Sequence, residues 1–367
     1  MSKQLKIFAL GGNEIAPSGR TDPATGKLVI PDLAEQWQRT AETCKLLAQI
    51  IKGNPDDYYI ITHGNGPQVG NVILQEENSY PKPNFRPLDI CDADTQGSMG
   101  YMLAQLTNNL KLAGVDRIAA ETVTRVVVDK NDPNFFNPTK FIGPSYTKEE
   151  ALKNVPGENH TMKFYKMNGN AVELWRRVVA SPRPVDIVEI NVIENNMLSG
   201  IIPIAVGGGG IPVTKVLPEV TGDDEIYKCN FGITYKREYN PLNEPADIYT
   251  GAEAVVDKDL ATSLLGKILL ERAKSRGENL EAQLIIFTDV DGVKHNYQKP
   301  DQKDLRHLSL AEVKKLYRQN VFPSGSMGPK IEAAINFLES GGKKIVITKA
   351  TLYKEMLSGN AGTVIEP

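Results

Sequence analysis

The stretch Ile201-Ile202-Pro203-Ile204-Ala205-Val206-Gly207-Gly208-Gly209-Gly210-Ile211-Pro212-Val213 decides the fold. It opens with a short apolar run in which β-branched side chains dominate. Such a run, bounded by turn chemistry, predicts a strand buried on both faces. Four glycines then strip the strand's exit of side chains, so that a ligand can lie against bare backbone N–H groups, as anions do in glycine-rich loops. A flexible turn would read the same way, and a glycine run by itself carries little. Recurrence gives it weight: Gly11-Gly12-Asn13 and Gly64-Asn65-Gly66 follow two other apolar runs.

Working outward, Lys6–Leu10 predicts a first strand, and the segment 14–32, with Pro17, Gly19, Pro23, Gly26 and Pro31, reads as a loop. Leu33–Lys52 is helical in pattern and stops at Gly53-Asn54-Pro55; Tyr58–Thr62 predicts a strand, and Val69–Glu77 a helix. Strand, glycine loop and helix, twice in succession, is the pattern of a parallel sheet covered by helices. Pro81–Asn84 reads as a loop, Ala93–Ala113 as a helix and Arg117–Asp129 as a single strand. Residues 131–184, rich in proline, glycine and charge, read as an excursion from the sheet, either a small lid or an extended loop. Val185–Ile190 and a helix around Val192–Ser199 lead back to the glycine-rich strand. A second excursion, about 215–251, is charged and poor in aliphatics, and reads as a surface insertion. The remainder predicts a helix over Leu260–Ser275, a strand over Leu284–Thr288 and a helix over Leu308–Tyr317. A Ser/Gly/Pro-rich loop at Phe322–Lys330, a helix at Ile331–Leu338, a strand at Lys344–Thr348 and a last edge strand at Gly362–Ile365 follow.

The 367 residues can bury a large core, and the composition, 41% hydrophobic and 24% charged, is that of a globular protein. A net charge of −3 gives no electrostatic case for nucleic acid or an acidic membrane surface. Cys44, Cys91 and Cys229 are far apart and odd in number, which points to a reducing compartment, and the four histidines lack metal-ligand spacing. No apolar stretch reaches the roughly 20 residues of a membrane span, and the N-terminal apolar run is too short for a signal peptide, so the expectation is a cytoplasmic protein.

Glycine-bearing strand exits and the helices that start beside them describe an anion site, most readily for phosphates. There is no GxxxxGK[ST], and no GxGxxG opens the first strand–helix unit. Phosphoryl transfer needs cations around the travelling group. The candidates are Lys140 in Asn137-Pro138-Thr139-Lys140-Phe141-Ile142-Gly143-Pro144, Lys258 between Asp257 and Asp259, and Lys330 after Gly325-Ser326-Met327-Gly328-Pro329. Lys330 opens a helix, where a cation opposes the dipole, so it has no evident structural reason to be there. Any one of them could be a solvated surface charge, and the aspartates could be first-turn helix residues; the set persuades only together with the glycine loops.

GGN at 11–13, HGNGPQVGN at 63–71, PLDICDADTQGSMGY at 87–101 and VVVDKNDPNFFNPTKFIGP at 126–144 resemble the carbamate kinase family of the amino-acid kinase superfamily. VGGGGIPV at 206–213, AVVDKDLA at 254–261, TDVDGV at 288–293 and FPSGSMGPKIEAAINFLES at 322–340 continue the resemblance in the family's order. It implies one α/β/α three-layer sandwich over 1–367 with an eight-stranded, mainly parallel sheet and a protruding lid at 131–184, usually a homodimer. Residues 1–200 would bind the acceptor and 201–367 the nucleotide. The implied reaction is ATP + carbamate ⇌ ADP + carbamoyl phosphate, with Mg²⁺ on the nucleotide and no metal ligand from protein side chains. By motif, Gly11, Gly12, Asn13, Gly64, Asn65 and Gly66 would hold the acceptor and the transferring phosphate. Lys140 and Lys330 would neutralise transition-state charge, Lys258 would contact phosphates, and Asp259 would orient the lysines. Gly208, Gly209, Gly210, Asp289, Tyr297 and Met327 would lie near the nucleotide. Two features depart from the family pattern: the lid segment 166–177 lacks its acidic–Gly–Arg–Gly element, and 216–250 replaces a much shorter connection. A kinase of the same fold acting on another small carboxylate, and a nucleotide-binding regulator without turnover, are the alternatives.

Overall fold

The computed structural model describes residues 3–17, 20–21, 28–29, 31–66, 68–79, 86–153, 161–167, 173–322 and 327–367. The expected loop at Pro81–Asn84, residues 18–19, 22–27 and 30 of the segment 14–32 that is rich in proline and glycine, the segment 168–172 and the loop centre 323–326 lie outside the described residues.

Eight strands form the central sheet: β1 (Gln4–Leu10), β2 (Tyr58–His63), β3 (Ala119–Thr122), β4 (Ile202–Ala205), β5 (Glu281–Phe287), β6 (His307–Ser309), β7 (Lys344–Thr348) and β8 (Thr363–Glu366). Their spatial order is β6-β8-β7-β5-β1-β2-β4-β3. The pairings from β7 through β3 are parallel, while β8 runs antiparallel to β7. Period-2 alternation sends Leu5, Ile7 and Ala9 into one core and Phe8 and Leu10 into the other; Leu284 and Ile286 oppose Ile285 and Phe287 in the same way. Both faces are buried, which is why these strands read as unbroken apolar runs. Helices α1 (Leu33–Gly53) and α3 (Leu88–Ala104) cover one face. Helices α4 (Ile190–Leu198), α5 (Lys258–Ser275) and α6 (Met327–Glu339) cover the other, giving the expected three layers. Helix α2 (Gln68–Ser79) packs on α3.

Several expectations are corrected. Arg117–Asp129 is two strands: β3 belongs to the central sheet, and Arg125–Val128 to a four-stranded sheet with Pro184–Ile187, Ile211–Val216 and Ile248–Gly251. The break comes from Gln96, whose Oε1 accepts from the Thr124 N–H at 2.8 Å and whose Nε2 donates to the Thr124 carbonyl at 3.1 Å. The helix expected at Ala93–Ala113 starts earlier, at Leu88, and breaks at Gln105 before a second helix, Leu106–Leu112. The C-terminal strand is not an edge: β6 pairs outside it, and the helix beside β6 starts at Leu310, where Ser309 and Glu312 form a capping box. The 215–251 excursion is ordered. Three antiparallel strands, Glu219–Thr221, Asp224–Lys228 and Thr234–Glu238, pack around buried Tyr227 and Glu225.

Residues 140–179 carry a separate antiparallel sheet of Lys140–Thr147, Glu173–Val179 and Thr161–Met167. It is seated on the main body: Ile142 and Val179 share a small core with Val69, Ile73, Leu88, Cys91 and Val255. A Cβ added to Gly70 of α2 would stand 2.9 Å from Gly143 Cα, so backbone meets backbone at this seat.

The glycine run is equally crowded. Gly209 has φ +101°, and a Cβ there would stand 2.4 Å from the Val256 carbonyl oxygen, whereas Gly114, φ +81°, faces open space. Gly209→Ala is expected to cost about 3 kcal/mol or more, and Gly114→Ala only the ~1–2 kcal/mol of a left-handed non-glycine residue. Chemical denaturation of the two variants checks the difference.

Candidate active site

The start of α5 organises the site. Asp257 caps the helix, its Oδ1 accepting from the N–H groups of Asp259 at 2.9 Å and Leu260 at 3.3 Å. Its other oxygen, Oδ2, lies 3.3 Å from Lys140 Nζ, which reaches across from the separate sheet. Asp259, 2% exposed, sits between two ammonium groups, with Lys258 Nζ 2.5 Å from Oδ1 and Lys330 Nζ 3.1 Å from Oδ2. The three lysines, 118 and 72 residues from one another along the chain, are thus tied to two aspartates two residues apart. Burial pushes the Asp259 carboxyl up, but Lys258 and Lys330 together outweigh burial and hold it well below the carboxylate range. For Lys330 burial pulls the ammonium down, and Asp259 outweighs it, so the group is held above its ordinary value and stays charged.

The floor lies at the ends of β1 and β2. Gly12 touches Gly66: a Cβ on the first would be 3.5 Å from the Cα of the second. At Gly64 a Cβ would come within 3.2 Å of Lys258 Cδ, so the bare backbone lets the lysine stem cross the loop. His63 beneath is fully buried and donates from Nδ1 to the Gly64 carbonyl at 3.0 Å; burial lowers its pKa to about 4, so it is a neutral support. Asn13 lies in the turn Gly12–Glu14, and its side chain is outside the described residues.

Asn65 turns inward. Its Nδ2 donates to Asp92 Oδ1 at 2.9 Å, and its Oδ1 accepts from Thr95 at 3.1 Å. Both partners stand on α3, inside PLDICDADTQGSMGY, a stretch that carried no role in the sequence reading. Asp92 is 1% exposed, and burial raises its carboxyl well above the ordinary range despite the Asn65 hydrogen bond and nearby Lys140. Gln96, one turn on, also donates to the Gly207 carbonyl at 2.9 Å.

Along Gly207–Gly210 the backbone is closely packed. All four glycines are buried. The Gly209 and Gly210 N–H groups donate to the carbonyls of Val206 and Gly207, at 3.1 and 2.9 Å. Added Cβ atoms would strike His63 at Gly207, Asn65 at Gly208 and Val126 at Gly210. These glycines let three segments close-pack behind the site. Asp289, Tyr297, Met327 and Lys330, by contrast, line one cleft of about 150 Å³ with Thr288 and Phe322.

An amino acid kinase family model matches residues 273–349. The chain is 38% identical to a carbamate kinase of Thermococcus kodakarensis and 37% identical to one of Clostridium perfringens, with 98% of each chain covered in both cases. Among solved structures, carbamate kinase from Giardia lamblia bound to AMP-PNP is 32% identical with a TM-score of 0.74, over 99% of this chain and 98% of that one.

Two predictions follow from the geometry. Asp92→Asn keeps an acceptor for Asn65 and should retain kcat/KM within a few-fold; Asp92→Ala removes it and should cost about 1–3 kcal/mol, read as a raised acceptor KM and a lower Tm. Because the native Asp259 pKa is depressed, its stabilisation is present above about pH 4 and lost as pH falls further. Asp259→Asn should flatten that acid-side fall in unfolding free energy. Full-length similarity and three convergent lysines over a glycine floor lead to one assignment: the chain belongs to the carbamate kinase family of the amino acid kinases.

Proposed function

We propose that the chain catalyses reversible phosphoryl transfer between ATP and carbamate, forming ATP from ADP and carbamoyl phosphate in one direction. The observation that carries this reading is the lysine–aspartate cluster, in which Lys258 and Lys330 share Asp259 while Lys140 reaches Asp257. The transferring phosphoryl group, crowded between two anionic oxygens, needs positive charge on its outer oxygens and little else. Lys258 and Lys330 supply it from fixed positions, since Asp259 holds both before substrate arrives. Lys140 approaches from the opposite side, so substrate would be enclosed between the separate sheet and the floor. Gly11, Gly12, Gly64 and Gly66 provide backbone against which the acceptor and phosphate can lie, with Asn65 bracing the loop from behind. No general base is required, because the carbamate oxygen is already anionic; catalysis is positioning plus electrostatics.

The nucleotide is assigned to the cleft of Asp289, Tyr297 and Met327, with Lys330 at its reacting end. Gly208–Gly210 stand beside the nucleotide in this reading, behind its phosphates. Magnesium, when bound with the nucleotide, would neutralise phosphate charge. The reading includes a cytoplasmic homodimer; among the described residues no helix is long and apolar enough to cross a membrane.

ATP formation on adding carbamoyl phosphate to ADP and Mg²⁺ tests the reaction. Lys330→Ala should lower kcat by about 10²–10³, the scale of one lost transition-state donor, and near-normal turnover would remove Lys330 from the chemistry.

A further inference from the structure

Glu14 has no part in the chemistry above. It ends the turn after β1, and its side chain is buried. Oε2 has no hydrogen-bond partner among the described residues. That oxygen lies against the phosphate floor, for a Cβ placed on Gly11 would stand 3.0 Å from it. Burial raises the Glu14 carboxyl, Lys258 and Arg39 draw it down, and Asp289 pushes it up further. The nearby ammonium groups do not close on it, since Lys258 and Lys330 are both held by Asp259.

A carboxylate beside a phosphate floor repels the ligand that the floor is built to take. A cation between them reverses the sign. Asp289 offers the second carboxylate: it lines the nucleotide cleft with Lys330, and it lines the adjoining cleft of about 450 Å³ with Glu14 and Arg39. Two carboxylates facing phosphate oxygens are the hard-oxygen set that magnesium takes, since it binds through one or two protein carboxylates plus substrate phosphates. The set contains no imidazole or thiol, so it does not favour zinc or copper. No group of three His, Cys, Asp or Glu able to hold a metal occurs among the described residues, so such an ion would need the nucleotide to complete its shell.

We propose that Glu14 and Asp289 are protein ligands of the divalent cation that accompanies the nucleotide. The inference rests on the phosphoryl-transfer reading and departs from the expectation that phosphates alone hold the ion. Its rival is Arg39, paired with Glu42 at 3.2 Å on the wall of the same cleft, turning to neutralise Glu14 without a metal.

The test is Mn²⁺ titration of the full chain with saturating ADP, followed by the electron paramagnetic resonance of free Mn²⁺, for wild type, Glu14→Gln and Asp289→Asn. Calorimetry of ADP without metal serves as the control for folding. Each variant should weaken Mn²⁺ binding to the protein–ADP complex about tenfold or more, with metal-free ADP bound as well or better. Mn²⁺ affinity within twofold of wild type in either variant overturns the proposal. If Glu14→Gln fails to bind ADP, Glu14→Ala replaces it, with the same expected weakening and the same overturning result. ATP-forming activity of the wild type is measured alongside; its absence would count against the reaction, while the Mn²⁺ titration would still decide the metal site.

Discussion

A buried carboxylate shared by two ammonium groups governs this molecule. Asp259 could not remain ionised at 2% exposure without Lys258 and Lys330, because an unpaired buried charge is strongly destabilising. The sharing fixes the beginning of α5 against the beginning of α6, and both against the ends of β1 and β2. Asp257 extends the same logic to the separate sheet through Lys140. Three positive charges gathered in one place would repel one another. Two negative ones set among them make the cluster tolerable before any ligand arrives, yet leave the excess of positive charge that a phosphoryl group requires.

The sheet and its glycine exits were legible because burial on both faces leaves a plain signature: short, uninterrupted apolar runs that end in glycine. The converging lysines were legible only as a set beside the glycine loops, since each alone could have been a solvated surface charge; Lys330 alone, opposing a helix dipole, had no evident structural reason for its place. What stayed hidden was held by single side chains acting over long distances in sequence. Nothing local in Val123-Thr124 announces that Gln96 will take both backbone groups of Thr124 and divert the chain into a second sheet. The roles of Asp92 and Thr95 were hidden likewise, because a helical aspartate reads as solvated until its neighbours bury it. The 215–251 segment was legible as a surface insertion but not in its form: a hairpin sheet with few aliphatics orders itself around one tyrosine and one ion pair, Tyr227 and Arg237–Glu225.

The four successive glycines show how one pattern can serve two physical ends. Their absence of side chains was read as room for a ligand, but the room is already occupied by His63, Asn65, Val126 and the backbone at Val256. Left-handed backbone at Gly208, Gly209 and Gly210 turns the chain from the central sheet into the second one. Close packing there braces the ends of β2 and α3 from behind, so whatever else the glycines do, they stiffen the site.

The seat between Gly70 and Gly143 has a mechanical consequence. Beside the small apolar core of Ile142 and Val179, two backbones rest directly on each other, so the height of the flap carrying Lys140 is set by position 70 having no side chain. A single methyl group at position 70 would act as a doorstop, holding the flap ajar and its lysine short of Asp257 while leaving every charged group in the pocket chemically intact.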